Sequence, residues 1–111
     1  MALASEALAR LLAEYRRRLV ARLGDRLVEL RLFGSHARGE ARADSDVDVA
    51  VVLDEVRDIE ERVLPMELAG DFLVEHGLVL TPIVLSVAEL ELLRRREDLL
   101  AENLDREGIV L

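Results

Sequence analysis

The stretch LFGSHARGEARADSDVDVAVV, from Leu32 to Val52, sets a glycine, a serine and an Arg-Gly pair between two apolar runs, then two aspartates two positions apart. On a β-strand, residues two apart share a face and lie about 7 Å apart along the backbone. Asp46 and Asp48 therefore point the same way, while Val47, Val49 and Val51 take the opposite face. Two carboxylates at the edge of a core repel each other and lose hydration, at a cost that needs a compensating charge. A divalent cation supplies one. Mg²⁺ in particular uses one or two protein carboxylates and fills its remaining positions with water and phosphate oxygens.

Gly34 and Ser35 stand at the end of the preceding apolar run. Glycine there lets the backbone turn sharply and lets a ligand approach closely. Ser35 reads as the cap of a short helical turn, SHARGE, whose first N–H groups point at an anion. Arg38 adds a positive charge, and Gly39 lets the loop turn back. Ser45 reads both as a bond within the local turn and as a phosphate contact. Gly34, Ser35, Arg38 and Ser45 are thus the candidate nucleotide-binding residues, and Asp46 and Asp48 the candidate metal-binding and catalytic pair. Asp44 and Asp54 flank that pair, and His36 reads as exposed.

Leu8, Leu11, Leu12, Tyr15, Leu19 and Leu23 recur at helical spacing, so residues 2–23 read as a helix stopped by Gly24. The arginines at 16–18 read as its solvated face. RLVELRLFGS alternates: Val28, Leu30 and Leu32 on one face, Glu29 and Arg31 on the other, hence a strand. Val47–Leu53 is an unbroken apolar run and reads as a strand buried on both faces. A helix over 58–76 follows, ending at Gly77, with Pro65 predicting a kink or a late start. GLVLTPIVLS is a third strand, and Pro82 marks it as an edge. Ser86 with Glu89 is a capping-box pair opening a helix to about Asn103, and REGIVL offers a short last strand. The fold class expected is α/β (α+β): a small mixed sheet flanked by helices, over one domain spanning 1–111.

The chain of 111 residues is 51% apolar, enough for one core. It has no run of the ~20 apolar residues a membrane helix needs. It has no cysteine, and MALASEALARLL lacks the basic start of a secretory signal, so a cytoplasmic protein is expected. The net charge of −8 disfavours nucleic acid as a partner. All fifteen basic residues are arginine, which says little about activity.

Gly34-Ser35, ten residues, then Asp46-Val47-Asp48 resembles the signature of the DNA polymerase β-like nucleotidyltransferase superfamily. GSHARG, SDVDV and the ending NLDREGIVL are most similar to its minimal nucleotidyltransferase branch. No GK[ST] follows the glycine, so this is not a Walker loop. The resemblance implies the polymerase β-like fold, triphosphate contacts at Gly34 and Ser35, and Mg²⁺ on Asp46 and Asp48. It implies ATP or another nucleoside triphosphate as substrate and transfer of AMP to a hydroxyl. It also implies a toxin–antitoxin setting, in which the chain is the antitoxin adenylylating a small helical HEPN-type partner protein. One departure stands out. The superfamily carries a third carboxylate on a later strand, and Leu78–Val87 here holds none, with Thr81 and Pro82 near that place. The alternative is a nucleotide-binding or partner-binding module that serves as antitoxin without transfer.

Overall fold

In the first strand, β1 (Leu27–Phe33), the sequence alternation is interrupted by one residue. Leu30 and Leu32 are buried as expected, but their inward companion is Leu27, and Val28 is 53% exposed. The pairing with the next strand slips between Leu27 and Glu29, an irregularity that turns Val28 out to solvent. The computed structural model describes residues 6–42 and 45–111. The first four residues of the expected N-terminal helix, and Asp44, fall outside them.

β2 (Val47–Leu53) lies in the middle of a four-stranded sheet of order β3-β2-β1-β4. It pairs antiparallel with β1 and parallel with β3 (Leu80–Ser86), while β4 (Ile109–Val110) closes the other edge antiparallel to β1. The sheet is mixed, and the class is α/β. Pro82 sits on the edge strand, where its missing N–H breaks no ladder bond.

Helices cover both faces. α1 (Glu6–Leu23) and α3 (Ile59–His76) pack Leu12, Tyr15, Leu19, Leu68 and Phe72 against Leu30, Leu32, Val47, Val49 and Val51. On the other face α4 (Val87–Arg95) and α5 (Leu99–Glu107) bring Leu90, Ala101 and Leu104 onto Ala50, Val52 and Leu85. That double cover is why β2 is apolar at consecutive positions. No described helix is long and apolar enough to cross a membrane.

Two helical expectations are corrected. α3 begins at Ile59 and not late, with Pro65 inside it, six residues beyond its first residue. The ring is buried, and the Pro65 carbonyl accepts a 2.7 Å hydrogen bond from the Tyr15 hydroxyl. The helix expected from Ser86 to Asn103 is two helices. The Ser86/Glu89 capping box is present, but Glu97 adopts a left-handed φ of 55° and the Asp98 side chain accepts from the Leu100 N–H, starting α5 afresh. Of the arginine run, Arg17 and Arg18 pair with Glu14, and Arg18 also reaches Glu75 and covers the Phe72 ring.

Burial holds the Tyr15 phenol neutral far above its ordinary range, so the hydroxyl acts as a permanent donor. Tyr15→Phe removes that bond without changing volume much. It is expected to lower unfolding free energy by about 1 kcal/mol in urea titration, with an unchanged m-value.

Candidate functional site

β1 and β2 meet at the site end of the sheet through the register Phe33 to Asp48. Gly34, the next residue, takes φ 75° and ψ −155°, a conformation side-chain-bearing residues avoid. A Cβ built on Gly34 would overlap the Asp48 carboxylate. The positive φ is what calls for glycine, and the Asp48 carboxylate takes up the space its missing side chain leaves.

Beyond Gly34 comes a four-residue helix, α2 (Ser35–Arg38), seated by the fully buried Ala37. Its first internal bond runs from Arg38 N–H to the Gly34 carbonyl, 3.1 Å, so the N–H groups of Ser35, His36 and Ala37 precede it. Gly34 is the capping residue, and it makes no side-chain cap. Ser35 is therefore not the cap the sequence suggested. Among the described residues its hydroxyl has no hydrogen-bond partner.

The loop into β2 is held from both sides. Ser45 Oγ accepts from the Arg42 N–H at 2.8 Å, and a His36 ring nitrogen lies 3.1 Å from the Ser45 carbonyl oxygen. His36 is accordingly half-buried and ties the loop, contrary to the exposed position expected. Arg38 is exposed, and its guanidinium pairs with Glu40 at 3.1 Å and Glu107 at 3.2 Å. Those two carboxylates raise its pKa further. Glu107 lies 69 residues away on α5, and nothing in the sequence signalled the pairing. A cavity of about 600 Å³ opens beside α2, lined by Ala37, Arg38, Glu40, Arg106, Glu107 and Gly108 among others.

Asp46 is exposed and Asp48 half-buried, and among the described residues neither carboxylate has an ion-pair or hydrogen-bond partner. Desolvation raises the Asp48 pKa, and the neighbouring Asp46 charge raises it again, while His36 and Arg38 pull it down. Asp54 stands at the opposite end of β2, beside Arg26, and does not belong to the site. Thr81 is the in-register neighbour of Asp48 on β3. No described group of three or more His, Cys, Asp or Glu is disposed to hold a metal. The donor set is two crowded, unpaired carboxylates with only hard oxygen atoms. That fits Mg²⁺ bound jointly with phosphate oxygens, and it does not fit a fully protein-ligated ion.

A mixed sheet thus carries a glycine turn, a short helix and two carboxylates at one end. The chain belongs to the nucleotidyltransferase domain family, which matches residues 12–105. It is similar to two candidate protein adenylyltransferases of Methanocaldococcus jannaschii. One, MJ0141, is 28% identical over 67% of this chain and 75% of its own length; the other, MJ1305, is 31% identical over 74% of this chain and 57% of its own. Among solved structures, a toxin–antitoxin complex crystallised with AMP-PNP superposes with a TM-score of 0.59 at 22% identity, covering 87% of this chain and 69% of that one. A candidate nucleotidyltransferase from Sulfolobus solfataricus gives 0.58 at 20% identity, covering 91% and 76%. The complex of tri-AMPylated Shewanella oneidensis HEPN toxin with MNT antitoxin gives 0.53 at 20% identity, covering 91% and 69%. At these identities the structures establish the shared fold.

Because the folded-state pKa of Asp48 is raised, its ionised form costs stability, and that cost is absent at pH values below the unfolded carboxylate range. Asp48→Asn is therefore expected to melt above the parent chain at neutral pH without metal, by less than about 1 kcal/mol. The gap should close as pH falls through the acid range, as followed by thermal denaturation.

Proposed function

We propose that this chain is a Mg²⁺-dependent adenylyltransferase that moves AMP from ATP to a hydroxyl on a partner protein. We take that partner to be a HEPN-type toxin, with this chain acting in the cytoplasm as its antitoxin. The observation that carries the reading is the pair of carboxylates Asp46 and Asp48, unpartnered among the described residues, with Asp48 packed against the Gly34 turn. The curated relatives support the adenylyl group, and the toxin–antitoxin neighbours support the partner.

Each residue has a definite task. The N–H groups at the start of α2 and the free Ser35 hydroxyl donate to the triphosphate. Gly34 leaves the room that the Asp48 carboxylate occupies beside the turn. Ser45, whose Oγ already accepts from Arg42, retains its own hydrogen to donate. Arg38 turns from Glu40 and Glu107 toward the negative charge that builds on the departing pyrophosphate. Asp46 and Asp48 would hold Mg²⁺, which when bound neutralises phosphate charge and orients the leaving oxygen. The acceptor oxygen bonds to the α-phosphorus as the bond to the bridging oxygen breaks. Pyrophosphate leaves with that electron pair, and the hydroxyl proton passes to solvent.

A second reading, binding without transfer, is favoured by Thr81 standing beside Asp48 where a third carboxylate would sit. The two readings separate in one assay: ATP labelled at the α-phosphorus, Mg²⁺, this chain and the HEPN-type protein of the same genome. The first predicts label on the partner, lost with EDTA and reduced roughly 10²-fold or more by Asp46→Asn or Asp48→Asn. Calorimetric binding of Mg·ATP with no label overturns it in favour of the second. Thr81→Asp is expected to raise the labelling rate if proton removal limits the step, and to restore it if transfer has been lost.

A further inference from the structure

Helix α3 carries two apolar faces. One is buried through Leu64, Leu68 and Phe72. On the other, Ile59, Val63, Met66, Leu73 and Val74 are all exposed, Val74 by 87%. At 3.6 residues per turn these five fall within a sector of about 100°, the width of a packing stripe. Five of the twelve large apolar side chains exposed on the described surface thus line one helix.

Gly70 sits in the middle of that stripe. A Cβ there would meet nothing within 4 Å, so no internal packing calls for glycine, which weakens a helix relative to alanine. The absent side chain leaves a shallow notch between Met66 and Leu73, shaped for a protruding side chain of another helix. Along one rim stand Glu60, Glu67 and Asp71, all exposed, and among the described residues none of their carboxylates is paired. On the other rim the Arg62 guanidinium is already bonded to Glu89 and the Val84 carbonyl.

Those rims exclude a second copy as the occupant. An antiparallel two-fold pairing sets acid against acid, and a parallel one offers the acids only an arginine already engaged. A basic partner fits both the rim and the net charge of −8. The stripe also leads to the site end of the sheet. Past Gly77, the 42%-exposed Val79 accepts the Val47 N–H at 2.9 Å, one residue from Asp46.

We infer that the exposed face of α3 is the docking surface for a partner protein's helix, apolar along one stripe and flanked by arginine or lysine. It deepens the partner reading above and rests on it only for that partner's identity.

The test reads binding, so it succeeds or fails separately from the transfer assay. Two synthetic helical peptides serve as probes, both with leucines at three- and four-residue spacing, one flanked by lysines and one by glutamates. Calorimetry should show the lysine peptide binding the full chain and the glutamate peptide failing to bind. Met66→Asp, and Glu67→Arg with Asp71→Arg, should each weaken binding about tenfold or more. Gly70→Gln should weaken it similarly while leaving thermal stability equal or higher, which separates a blocked notch from a damaged fold. No binding by the parent chain, equal binding by the variants, or sedimentation of the parent chain as a dimer that Met66→Asp dissociates would each overturn the proposal.

Discussion

The contact between the Asp48 carboxylate and the Gly34 backbone is the constraint on which the site depends. It exists because β1 and β2 pair with Phe33 opposite Asp48. A slip of one residue would turn Asp48 and Ala50 toward α1 and α3, into the layer that Val47, Val49 and Val51 now fill. Val47, Val49 and Val51 prevent that slip, since all three are buried in the layer of α1 and α3. Hydrophobic register thus sets the position of two charged groups that themselves oppose folding.

That opposition is confined. Asp46 and Asp48 lie where the second hydrophobic cluster ends, beyond Ala50, and solvent still reaches both. Burial desolvates Asp48 and raises its pKa. The surroundings offer only partial relief. His36 is turned to the loop carbonyl, and Arg38 is shared by two other carboxylates. The charge of the two carboxylates is thus left largely uncompensated by the described residues, which is consistent with the cation site proposed above.

Helix α3 connects this end of the molecule to its surroundings. Its inner face completes the core, and its outer face carries large apolar side chains that no described element of this chain covers. The ordinary hydrophobic periodicity of one helix is doubled, which is why its two faces are hard to tell apart from sequence. A lone amphipathic stripe identifies an inside; two stripes identify an inside and an interface, and only packing against α1 and the sheet says which is which.

Much was legible beforehand. The run VDVAVVL dictated a doubly covered central strand, Pro82 an edge, Ser86 with Glu89 a helix start, and Gly34 a sharp turn at a strand end, because each depends on local periodicity or on one residue's backbone chemistry; Gly34-Ser35 with Asp46 and Asp48 gave a candidate site. What the sequence could not express were contacts between distant segments. The outward turn of Val28 comes from its pairing with β2, and the continuity of α3 comes with a buried proline whose carbonyl receives the Tyr15 hydroxyl. The break at Glu97 accompanies the fresh cap at Asp98 that lets α5 settle Ala101 and Leu104 on the sheet. The pairing of Arg38 with Glu107, the distance of Asp54 from the site and the place of Thr81 beside Asp48 follow from topology. Local backbone preference and burial pattern act over a few residues and are written in order along the chain; strand register and ion pairing act across space, and only the folded chain decides them.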